Sequence, residues 1–140
     1  MKSTDTSGDD LMFALRDFAN SQGYHPFQSS GNLVCGFGWG SGHTVNTNVL
    51  IADGNWHNIA CVVNASKWQW IYKDSVLLDN RQLITPYEFI NQTLIIGGNQ
   101  FGNFFNGSID EVAIYNRSLS ASEVYELYNR LKGQFQSKTI

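Results

Sequence analysis

Basic residues are few in this 140-residue chain and never consecutive. Nine Lys and Arg stand against twelve Asp and Glu, for a formal charge of −3. Neither a nucleic-acid footprint nor a polybasic membrane patch is present, and the expected partner is neutral or weakly charged. No apolar stretch approaches the length of a bilayer span, which speaks against membrane insertion, and the residues after Met1 are polar rather than the apolar core of a signal peptide. No βαβ alternation is visible, which excludes a parallel nucleotide-binding sheet. A G-x-S-x-G elbow and a phosphate loop are both missing, so acyl and phosphoryl transfer have no support. His25, His43 and His57 lack ligand spacing with Cys or carboxylates, which argues against zinc. Only two cysteines occur. Cys61 lies in the apolar run 59–63, where a free buried thiol is the favoured expectation and a disulfide to Cys35 the alternative.

What is present is apolar and aromatic: 42% hydrophobic and 14% aromatic residues, enough for one compact domain with a core. The first ten residues, MKSTDTSGDD, are small and polar and read as a flexible lead-in. The domain is expected over 11–133, with 134–140 as a tail. Short strand patterns recur at 11–16, 33–37, 43–50, 56–63, 68–72, 76–79, 94–96 and 108–115, separated by turn signals such as Asp53-Gly54 and Asp74-Ser75. Residues 17–30 have no sustained period and contain Gly23 and Pro26, so they read as a long irregular connection carrying Tyr24. The glycine-rich stretch 36–42 marks a turn with Trp39 at its tip.

One helix closes the chain. Ser120 and Glu123 have the spacing of a capping box, Leu119 and Val124 that of a hydrophobic staple, and Val124, Leu127, Tyr128 and Leu131 make an apolar stripe. Gly133 suits the left-handed position after a helix end. The fold class is therefore all-β: an antiparallel, jelly-roll-like β-sandwich ending in one C-terminal amphipathic helix.

Three segments, in this order, carry a resemblance. They are Asp53-Gly54-Asn55-Trp56-His57-Asn58-Ile59-Ala60, then Ile71-Tyr72-Lys73-Asp74-Ser75, then Leu94-Ile95-Ile96-Gly97 followed by Phe105-Asn106-Gly107-Ser108-Ile109-Asp110-Glu111-Val112-Ala113-Ile114-Tyr115. Together they resemble laminin-G-like domains of the concanavalin A-like lectin/glucanase superfamily. Ser75 departs from the pattern, standing where the family turn usually has glycine. The chain also looks short at its N-terminus, because family members usually carry more strands ahead of 11–16, and their first strand commonly pairs beside the last. A strand edge left exposed by that shortening is expected to recruit a partner, with a homodimer through that edge as one outcome; alternatively, 11–16 fills the gap.

The resemblance implies a non-catalytic, lectin-like binding module whose partner is an oligosaccharide or glycoconjugate, in an extracellular or cell-surface setting. Its rival is a protein-interaction or adhesion module of the same fold. Sugar rings stack on flat aromatic faces, so the candidate carbohydrate-binding residues are Trp39, Trp68, Trp70 and Tyr24, with Asn46, Asn48 and Gln69 as hydrogen-bonding amides. Trp68, Trp70 and Tyr72 share one strand face by the period of two. Asp110 is the candidate metal ligand, for the structural calcium that resembling domains hold near this position. Glycoside hydrolysis is disfavoured: Asp110 and Glu111 are adjacent and point to opposite faces of an expected strand, so they cannot flank one glycosidic bond.

Overall fold

The computed structural model describes residues 1–17, 22–37, 44–83, 93–98 and 102–137. In chain order these form β1 (Lys2–Ser3), β2 (Asp9–Leu11), β3 (Phe13–Asp17), β4 (Gln22–Ser29), β5 (Asn32–Phe37), β6 (Thr44–Leu50), β7 (Ile59–Val63), β8 (Trp68–Lys73), β9 (Val76–Gln82), β10 (Thr93–Ile96), β11 (Gly107–Ser108) and the helix α1 (Ala121–Ser137). The larger sheet runs β10-β3-β4-β5-β6, with β2 also on β4; the smaller runs β7-β8-β9, and β1 pairs with β11. Pairing between these strands is antiparallel throughout, as expected for a sandwich.

Within the stretch 17–30, expected to be an irregular connection, Gln22–Ser29 form β4, a central strand that pairs with β5 from Tyr24 to Ser29 and has β2 and β3 on its other side. The breaker that hid this strand is Pro26. Its carbonyl accepts the Met12 N–H at 3.2 Å, so its missing N–H faces Met12, where the chain bends between β2 and β3 and the pairing with β4 slips by one residue. A proline is tolerated in a central strand where the ladder is already interrupted.

The lead-in is likewise part of the fold. Met1 and Ser3 are buried, β1 lies beside β11, and Met1 N and O exchange hydrogen bonds with His57 O and N at 2.9 and 2.8 Å. It is β1, not 11–16, that stands beside the last strand; 11–16 pairs with β4 and β10 instead. Gly107 makes this approach possible, since a Cβ there would land on the Lys2 carbonyl oxygen and the Phe105 ring. The expected strand 108–115 is cut to β11, and residues 109–115 belong to no strand.

Leu33, Cys35 and Val45 of the larger sheet meet Ile71 of the smaller one in the main core, together with Met1, Met12 and Ile51. Cys35 and Cys61 are joined in a disulfide between β5 and β7, so the free thiol expected at Cys61 is corrected: the two strands face each other across the sandwich. Asp53-Gly54 leads from the larger sheet to the smaller rather than closing a hairpin. The opposite face of the larger sheet buries Leu11, Ala14, Phe27 and Val34.

The capping box forms as read. Glu123 N donates to Ser120 Oγ at 3.3 Å and Ser120 N to Glu123 Oε2 at 2.8 Å, while Arg117 grips the same carboxylate at 2.6 and 3.1 Å. Val124 packs on Val62 and Tyr72 with Leu119 alongside, clamping α1 to the outer face of the smaller sheet. The helix does not stop at Gly133 but runs to Ser137, so most of the expected tail is helical. A glycine inside a helix costs only about 1 kcal/mol relative to alanine.

Candidate functional site

The outer face of the smaller sheet is built by β8. Gln69 and Ile71 point into the core and are fully buried, so the period of two turns Trp68, Trp70 and Tyr72 outward. The three differ in cover. Tyr72 is buried under Val124, and Trp70 is half-buried at the edge of the same cluster. Trp68, beyond the helix, is 40% exposed. The two indoles lie 6.4 Å apart between centroids with their planes inclined by 31°. Across the ladder to β9, Trp70 is opposite Asn80 and Trp68 opposite Gln82, both exposed. The result is an aromatic step flanked by two amides.

Other expected site residues stand elsewhere. Tyr24 is not in a loop: it is a β4 residue, 7% exposed, in the main core, and burial pushes its phenol pKa up. It cannot offer a ring face to a sugar. Gln69 is buried with Nε2 3.5 Å from the Cys35 carbonyl oxygen. Asn46 and Asn48 are exposed but lie on β6 of the other sheet, where Asn46 Oδ1 accepts the Asn48 N–H at 2.9 Å. Trp39 lies outside the described residues. Asn80 and Gln82 were not anticipated; their place opposite the tryptophans follows from the two-residue turn and the bulge in β9, and the bulge had no signature in the sequence.

Asp110 and Glu111 are on an irregular segment, where Asp110 Oδ1 accepts the Glu111 N–H at 2.9 Å and Glu111 has φ 54°. Among the described residues no group of three His, Cys, Asp or Glu side chains could hold a metal ion. Calcium takes six to eight oxygens, and among the described residues no cluster of carboxylates gathers around Asp110.

A second polar cluster was missed entirely. His57 Nδ1 lies 2.7 Å from Asp74 Oδ2 and Nε2 2.9 Å from Asp53 Oδ1. The Asp74 hydrogen bond and that to Asp53 together outweigh burial and raise the imidazole pKa. Burial acts upward on Asp53, but the Asn55 N–H and the His57 ring overcome it and hold the carboxyl at about 2. With both ring nitrogens occupied, His57 ties the interior together and is not offered to a substrate.

A cavity of about 970 Å³ lies between β7 and residues 109–119. Its floor includes Met12, Phe13, Leu15 and Pro26, and Leu127 and Leu131 of α1 line it too.

Residues 1–125 match the family described as the concanavalin A-like lectin/glucanases superfamily. The chain belongs to that superfamily. No curated protein matches it. Among solved structures, this concanavalin A-like chain is similar to the binding domain of Paraclostridial Mosquitocidal Protein 1, with 22% identity, a TM-score of 0.65, and coverage of 88% of this chain and 32% of that one. It is also similar to domains LG4-5 of the mouse laminin alpha1 chain, with 15% identity, a TM-score of 0.60, and coverage of 85% and 35%. The chain thus spans about a third of each, and these likenesses show the fold.

Proposed function

We propose that this chain is a non-catalytic binding module that holds carbohydrate on the outer face of its smaller sheet. The observation that carries the reading is the exposed Trp68 indole, inclined to Trp70 and flanked by Asn80 and Gln82. A pyranose buries its C–H face on such a ring while neighbouring amides meet its hydroxyls. Membership of a lectin-containing superfamily supports the reading, as does a neighbour described as a binding domain. A glycan array followed by affinity gels tests it. Trp68→Ala is expected to lose retention at least tenfold with an unchanged melting curve, and retention equal to wild type overturns the site. Trp39→Ala tests the tryptophan of the glycine-rich stretch 36–42 in the same assay.

A structural calcium at Asp110 would depend on main-chain carbonyls for most of its shell. A rise in melting temperature on calcium titration that Asp110→Asn abolishes is the outcome that assigns the ion there. The rival reading, adhesion to a protein, gains ground if no glycan is retained by the wild-type chain.

A further inference from the structure

Trp68 and Trp70 are two steps of one repeat. Each indole has an exposed amide directly across the ladder, Gln82 beside Trp68 and Asn80 beside Trp70, where opposed Cβ atoms stand about 5 Å apart. The ring centroids are 6.4 Å apart, close to the two-residue rise of a strand, about 6.6 Å. The outer face of the smaller sheet therefore offers the same pair of groups twice.

The two rings are set by different parts of the fold. Trp70 packs against Val62, Tyr72 and Val124, so α1 helps to fix it, and its half-buried ring keeps part of its surface open. Trp68 is held from the turn between β7 and β8. Asn64 Oδ1 accepts the Trp68 N–H at 3.0 Å, and the Asn64 N–H donates to the Trp68 carbonyl at 3.0 Å. The same turn is tied to β9, because the Leu83 N–H donates to the Lys67 carbonyl at 2.9 Å and Gln82 Nε2 to the Ser66 carbonyl at 3.3 Å. Gln82 thus keeps Oε1 to accept a hydroxyl.

The ring planes are inclined by 31°, and that angle restricts what can lie on both. One sugar ring can stack on one indole only. A flat array of parallel chains, as on a crystalline polysaccharide, cannot meet both faces at once. Two linked rings rotated against each other can. Their linkage makes the second contact intramolecular, and a platform held in advance saves the cost of ordering it on binding.

We infer, resting on the carbohydrate reading proposed above, that this face takes two consecutive units of a single soluble glycan chain whose successive rings are rotated. One unit lies on Trp68 beside Gln82 and the next on Trp70 beside Asn80.

The test is calorimetric titration of the full chain with three saccharide series: glucose, cellobiose and cellotriose; glucose, maltose and maltotriose; N-acetylglucosamine, chitobiose and chitotriose. Retention on crystalline cellulose and crystalline chitin is measured alongside. In the series that binds, the disaccharide is expected to bind about tenfold or more tightly than its monosaccharide, with little further gain from the trisaccharide. Asn80→Ala, at an exposed position, is expected to narrow the gap between the two. A disaccharide that binds no more tightly than its monosaccharide overturns the paired site and leaves Trp68 a single-sugar site. Retention on a crystalline polysaccharide that the soluble trisaccharide does not displace overturns the rotated chain. Binding of none of these sugars overturns the carbohydrate reading itself, and the paired site with it.

Discussion

His57 Nδ1 stands 2.7 Å from Asp74 Oδ2, and this contact joins the entry to β7 with the turn between β8 and β9. Asp74 completes the junction by accepting the Asn58 N–H on its other oxygen at 2.9 Å. The two groups impose opposite pH limits. His57 has a raised pKa, chiefly from the Asp74 hydrogen bond, so its contribution is full below the unfolded imidazole value of about 6.5 and is lost as pH rises through the folded value. In Asp74, burial acts upward but the bonds from His57 and Asn58 prevail, and the pKa is lowered. That contribution is present above about pH 4 and is lost as pH falls. Stability is expected to peak between roughly pH 4 and 6.5. Asp74→Asn should cost about 2 kcal/mol in urea denaturation at pH 5.5, and less at pH 8.5. An equal cost at both pH values would show that charge is not involved.

Ser75 carries the strain of the same turn. Asp74 and Ser75 have φ of 51° and 65° and form the two-residue connection between Lys73 and Val76, the mirror-image turn that suits strand twist and normally takes glycine second. A left-handed residue with a Cβ costs about 1–2 kcal/mol. Ser75→Gly is expected to stabilise the chain by about 1 kcal/mol, read as a shift of the denaturation midpoint with unchanged slope. No gain would mean that the serine makes a compensating bond.

What could be read in advance divides along physical lines. The helix start was legible because Ser120, Glu123, Leu119 and Val124 are near in sequence and their roles are local. That Trp68 and Trp70 share one face followed from strand alternation; that this face is the outer one is shown by the burial of Gln69 and Ile71. Tyr24 was misplaced because Pro26 masks β4, and only the bend at Met12, which pairs with it from 14 residues away, explains how a proline sits there. The amides Asn80 and Gln82 and the Asp74 carboxylate on His57 depend on strand register and contacts distant in sequence, which composition does not encode. Gly107 was part of the resemblance, but its reason, the closeness of Lys2, belongs to the folded chain.

That closeness gives a direct test. A methyl group on residue 107 must displace the Lys2 main chain or the Phe105 ring, and overpacking of this kind costs about 1–3 kcal/mol. Gly107→Ala is expected to lower stability by that amount and to raise hydrogen exchange at Lys2, Ser3 and His57 before the rest of the sandwich. Unchanged exchange at these three amides would show that β1 accommodates the methyl without detaching.

The disulfide between Cys35 and Cys61 offers the largest single effect. It closes a loop with a sequence separation of 26 between the two sheets, and the chain-entropy relation assigns a loop of that length about 3.5 kcal/mol at 25 °C. Reduction with dithiothreitol should therefore shift the urea midpoint strongly downward, and Cys35→Ala with Cys61→Ala should reproduce most of the shift. Cys35 is fully buried, so the bond should resist reductant in the native state and yield only on unfolding. Thiol titration of the unfolded, unreduced protein provides the check. Finding two free thiols there would remove the cross-link, and with it the reason for the two sheets to stay in register when the ladder at β7 is opened.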